Sequence, residues 1–159
     1  MDEITLRASR LHSDKGRNLA DDGDLDGALK ELNTALELDP RNITALITLA
    51  EIHFNLDDHA KALKYCQDAL MYDTVSPDAW LILGSIYEEM GDLDKALEQL
   101  NYALQYNPNF ADIYHLIGFI YARKEDYSRA KGFMEKALEI DPEHEGALTD
   151  METIKEMVG

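Results

Sequence analysis

The sequence is short of basic residues and of cysteine, and each shortage narrows what the chain can be. Fifteen lysines and arginines stand against 32 aspartates and glutamates, for a formal net charge of −17. Nucleic-acid binding rests on neutralising phosphates with Lys and Arg, so neither nucleic acid nor an anionic membrane is an expected partner. The single cysteine, Cys66, can form no internal disulfide, which suits a reducing, cytoplasmic setting. No apolar run reaches membrane-spanning length, and no apolar leader follows the acidic start Met1-Asp2-Glu3. The five histidines, His12, His53, His59, His115 and His144, form no i, i+4 pair with a carboxylate partner, and no cysteine cluster accompanies them. Metal is therefore not expected. The few glycines make no phosphate-cradling loop, so no cofactor is expected either. Paired carboxylates such as Glu88 and Glu89 need no catalytic explanation in so acidic a chain, and the expectation is a protein without enzymatic activity.

What is present is a pattern written four times at a spacing of thirty-four residues. One column reads Gly16, Ala50, Gly84 and Gly118. Two further small columns read Ala28, Ala62, Ala96, Ala130 and Ala35, Ala69, Ala103, Ala137. Three of the four prolines, Pro40, Pro108 and Pro142, share a column in which the second unit has Thr74. A fixed period of this length is the mark of stacked repeats.

Within each unit the apolar residues fall into two runs of helical period separated by a short polar break. In the third unit Trp80, Leu83 and Tyr87 form one stripe, and Ala96, Leu97, Leu100, Ala103 and Leu104 the other. Asp24, Asp58, Asp92 and Asp126 sit in the break, where a carboxylate accepts from the free N–H groups that open a helix. Gly23 and Gly91 precede two of them and ease the turn. Asp39-Pro40, Asn107-Pro108 and Asp141-Pro142 close the second helices. The small columns predict close approach of the paired helices, and Cys66, in a core column, is expected to be a packing residue.

This pattern resembles the tetratricopeptide repeat. Its signature is carried in the third unit by Trp80, Leu83, Gly84, Tyr87, Ala96, Leu100 and Pro108. In the fourth it is carried by Tyr114, Ile117, Gly118, Tyr121, Ala130, Met134, Ala137 and Pro142. The first unit departs at His12 and Lys15, and the second at Ala50, His53, Cys66 and Thr74. The resemblance implies an all-α fold, a right-handed superhelical solenoid of antiparallel helix pairs. One domain spans 1–159, with repeats at about 9–42, 43–76, 77–110 and 111–144 and a capping helix over 145–159. In that last segment Leu148, Met151 and Ile154 are expected to face inward, and Ile4 and Leu11 are expected to cover the opposite end.

The resemblance also implies where a partner is held, because the first helices of such repeats line a concave groove. Carried onto this chain, that surface includes Arg10, Ser13 and Arg17 in the first unit, and Ile47, Glu51 and Phe54 in the second. The third unit supplies Leu81 and Glu88, and the fourth His115, Phe119 and Arg123. Ile47, Phe54, Leu81 and Phe119 are apolar where a solvated helix would be polar, which marks them as anchors for a protein or peptide ligand. The acids among them predict basic residues in that ligand. The carboxylate clamp by which some family members hold acidic chaperone tails is not expected, since its positions here read Ser13, Arg17, Thr48, Asp78 and Ile82. The function implied is a non-catalytic interaction module. The alternatives are a self-assembling structural module, for which Met157 and Val158 are candidate contacts, and a regulatory or adaptor subunit of a larger complex.

Overall fold

A computed structural model describes residues 2–158. Among the described residues the regular structure is entirely helical. The helices are α1 (Glu3–Asp21), α2 (Leu25–Leu38), α3 (Ile43–Asn55), α4 (His59–Tyr72), α5 (Pro77–Glu89), α6 (Leu93–Tyr106), α7 (Ala111–Arg123), α8 (Tyr127–Ile140) and α9 (Glu145–Val158). None is long and apolar enough to cross a membrane. The chain divides into two compact units, Met1–Ile82 and Leu83–Gly159, and the division falls inside α5.

The polar breaks fold as the aspartate column predicts. Asp24, Asp58, Asp92 and Asp126 each accept a hydrogen bond from the backbone N–H three residues on, at 3.0–3.2 Å. The same aspartates also donate their own N–H back to Leu19, His53, Tyr87 and Tyr121 of the preceding helix, at 2.8–2.9 Å. One residue therefore closes one helix and opens the next, which holds the connection to three residues. At the far end of each second helix, Asp39, Asp73, Asn107 and Asp141 accept from the N–H two residues on and turn the chain out of the helix.

In the first unit α1 packs on α2, α3 on α4, and α3 also touches α1 and α2. The glycine column allows this closeness: a Cβ on Gly16 would lie 2.6 Å from Leu32 Cγ. The core gathers Ala28, Leu32, Ala35, Ala45, Leu49 and Ile52. Where the first repeat lacks the large apolar pair at its start, His12 and Lys15 both reach Glu31 on α2, each at 2.6 Å. A polar clasp thus replaces an apolar one. Beneath it, Ser9 donates to the Ala35 carbonyl (2.8 Å), and Asn42 donates to Ser9 (2.8 Å) and Ser13 (3.2 Å) while capping α3 through Ala45 N–H (3.0 Å). This buried network ties α1, the end of α2 and the start of α3, and every member has a partner.

In the second unit α7 packs on α8 and α6, and α9 on α8 and α7. A Cβ on Gly84 would lie 2.6 Å from a Leu100 methyl, and one on Gly118 would press on Met134 and the Ala130 carbonyl. Ala130, Met134, Ala137, Ala147, Met151 and Ile154 form the core beneath α9. Met151 and Ile154 face inward as expected, whereas Leu148 is exposed and Ala147 takes the inner position. At the other terminus Ile4 and Leu11 do not cover anything: they are 82% and 63% exposed. Among the described residues of this unit, α1 packs on α2 and α3.

Candidate partner-binding faces

The residues expected to meet a partner occupy very different surroundings. On the first unit Arg10 and Arg17 are exposed, and among the described residues the ion pair of Arg17 is a long one to Asp14 (3.4 Å) on its own helix. Ser13 belongs to the buried network described above and offers nothing to a ligand. Ile47 is half-buried, packing on Leu46, Ala69 and Ala79 while lining a hollow of about 450 Å³ with Arg17, Glu51, Val75 and Asp78. Phe54 is half-buried, its ring centred 6.0 Å from that of His59. Leu81 is half-buried on α5.

Glu51 has the most distinctive electrostatics on this unit. Its pKa is raised, first by loss of water around the carboxyl, then by the charges of Asp78 and Asp21, against a smaller opposing effect of Arg17. It keeps exposed surface, yet protein encloses enough of the carboxyl for desolvation to dominate. Nearby Cys66 is fully buried, and burial together with the Glu51 charge pushes its thiol up to about 12. It is a packing residue with no thiolate chemistry at neutral pH. His53 sits against Tyr65 with ring centroids 5.6 Å apart, and desolvation lowers its pKa, aided by Lys61 and opposed by Asp58.

On the second unit two of the expected ligand-binding residues satisfy each other. Glu88 is only 8% exposed, and Arg123 on α7 donates to both its carbonyl (3.0 Å) and its carboxylate. His115 likewise turns to α9: its Nε2 lies 2.9 Å from Asp150 Oδ2, and its ring packs on Gly146 and on the His144 ring, centroids 4.8 Å apart. His144 accepts the Ala147 N–H at Nδ1 (3.1 Å), so its proton is on Nε2, which faces Asp112 at 3.2 Å. These contacts fasten α9 to α7. Phe119 differs from its neighbours, because it is 37% exposed and borders a largely apolar hollow of about 210 Å³. The other walls are Ala122, Arg123, Tyr127, Asp150, Thr153, Ile154 and Met157.

The contribution of α9 to that hollow was missed by reading the first helices alone. A signal for the internal pairs was nevertheless present, since Glu88 with Arg123 and His115 with Asp150 each stand 35 residues apart, about one repeat. Complementary groups at that separation lie on adjacent first helices and meet.

Family models confirm the repeat. Tetratricopeptide repeat models match residues 19–86 and 111–144, and a TPR repeat model matches residues 84–124. Among solved structures, MamA is 26% identical with a TM-score of 0.75, over 94% of this chain and 81% of MamA. The pilF protein of Pseudomonas aeruginosa is 20% identical with a TM-score of 0.87, over 96% and 69%. A thermophilic TPR protein of Thermus thermophilus is 24% identical with a TM-score of 0.80, over 91% and 81%. The search of curated protein sequences returned no match. With its spacing, caps and small columns all in place, the chain belongs to the tetratricopeptide repeat family.

Proposed function

We propose that this chain is a non-catalytic interaction module that holds a peptide or helix of a protein partner against the first helices of its repeats. Tetratricopeptide proteins serve in general as protein-interaction modules, and the fold by itself names no partner. The observation that carries the finer reading is the apolar hollow beside Phe119. A phenylalanine with over a third of its surface exposed, beside an exposed Met157, borders an apolar hollow the size of a side chain. Ile47 and Phe54 add half-buried apolar surface on the first unit, where acids outnumber the single Arg17 around Glu51. The ligand is accordingly a segment with apolar anchors and at least one basic residue. Arg10 and Arg17 remain available to its acidic groups, while Glu88, Arg123 and His115 act by holding the shape of the face.

Replacing the anchors tests this. Phe54→Ala and Phe119→Ala should each weaken a partner isolated from native extract by at least about 1 kcal/mol, read by calorimetry. Unchanged affinity in both variants overturns the assignment. A second reading, association between copies of this chain, is favoured by the exposure of Met157 on α9 and of Ile4 and Leu11 on α1.

A further inference from the structure

Beside the hollow that Ile47 borders lies a smaller one of about 180 Å³, and Thr48 and Glu51 form the wall between the two. Arg17 lines only the larger. The smaller contains no basic residue: Asp21 and Glu51 supply its carboxylates, and Ala20, Leu25, Ile52 and Leu56 its apolar surface. We propose that this hollow receives a lysine side chain of the protein partner. Its ammonium donates to Glu51, Asp21 and the Thr48 hydroxyl, and its methylene stem lies along Leu25 and Leu56. The proposal rests on the reading of the chain as a partner-binding module and supplies the residue type that this face selects.

Four features converge on it. Glu51 has neither an ion pair nor a hydrogen bond among the described residues, and it is held partly desolvated beside Asp21 and Asp78. An incoming cation relieves that cost. Thr48 is only 3% exposed and finds no hydrogen-bond partner among the described residues. Its hydroxyl is nevertheless not among the polar atoms sealed from solvent, and Thr48 lines both hollows. A buried hydroxyl without a partner is uncommon, and a ligand N–H would satisfy it. The hollow also sits where α1 and α3 end, at Ala20, Asp21, Asn55 and Leu56; the negative ends of their two dipoles favour a positive charge, against the opposing positive end of α2, which begins at Leu25 and is capped by Asp24. Finally, Leu25 and Leu56 are both exposed large apolar side chains. Three oxygen acceptors match the three donors of an ammonium, and a small hollow with an apolar wall suits an unbranched stem better than a planar guanidinium fork.

The test is an amide NMR titration of the full chain with Nα-acetyl-lysine methylamide, run beside its norleucine and arginine counterparts. The lysine probe should shift the Asp21, Thr48 and Glu51 amides saturably, and the norleucine probe should not. Glu51→Gln should weaken the lysine probe about tenfold or more, the loss of one charge-assisted hydrogen bond. Equal responses to lysine and norleucine, a tighter response to arginine, or an unchanged lysine affinity in Glu51→Gln would each overturn the proposal. The two readings fail separately. A partner weakened by Phe119→Ala but indifferent to Glu51→Gln removes the lysine hollow alone. A lysine probe seated at Glu51, with partner affinity untouched by the phenylalanine changes, removes the apolar anchors alone.

Discussion

The turn inside each helix pair places one residue in the left-handed region, and the chain fills that position in two ways. Gly23 and Gly91 adopt φ of 83° and 79°, whereas Asp57 and Glu125 hold φ of 57° and 60° at the equivalent sites. The hydrogen bonds around all four are the same, so the two non-glycine residues carry a conformational cost that their neighbours impose. For glutamate that cost is about 1–2 kcal/mol, partly offset in a glycine variant by the larger entropy that glycine loses on folding. Glu125→Gly should therefore raise stability by about 0.5–1 kcal/mol, measured by urea denaturation. Asp57→Gly should gain less, because aspartate tolerates this region better. A loss of stability in Glu125→Gly would mean that its side chain contributes more than the backbone strain removes.

Each helix pair closes on a matched set of side chains. Gly16 faces Leu32, Gly84 faces Leu100 and Gly118 faces Met134, always a glycine against a long apolar residue sixteen positions on. The second repeat has Ala50 and Cys66 at those positions, both fully buried. The added methyl on one helix is matched by the shorter side chain on the other, so the departures at Ala50 and Cys66 are one exchange of volume. Cys66→Leu alone should overpack the contact and cost about 1–3 kcal/mol. Ala50→Gly combined with Cys66→Leu should recover much of it, giving a coupling energy of about 0.5–3 kcal/mol in a double-mutant cycle. Additive effects would show that the two positions are packed independently. The same chemistry of substitution explains the first repeat, where His12 and Lys15 reach Glu31 in place of the apolar pair found elsewhere.

Taken as one solute, the protein carries a formal charge of −17, which repels copies of itself and attracts cationic partners. Among its exposed apolar side chains, Ile4 and Leu11 stand on α1, while Phe119 and Met157 border one small hollow. Repulsion between copies this highly charged favours a monomer. Light scattering over a concentration series, at low and at physiological salt, should return the monomer mass of 18.0 kDa throughout. A mass that climbs with concentration would move the assignment to self-assembly. Salt is the informative variable, since screening removes the repulsion between copies while leaving apolar contacts in place.

Helix pairing, the caps and the close-approach columns are all legible in the sequence, because each depends on residues a few positions apart or on a spacing repeated four times. The aspartate column caps, the glycine column admits its long partner, and Cys66 packs. The candidate site was less legible. Glu88, Arg123, His115 and Ser13 occupy positions that a single helix would show to solvent, and folding spends them on partners 29 to 35 residues away. Phe119 stays open because α9 builds a wall beside it without filling the space. Local periodicity states which face of a helix is apolar. Whether a polar group on the other face is free depends on what the neighbouring helix places opposite it, and that is settled only when the helices pack.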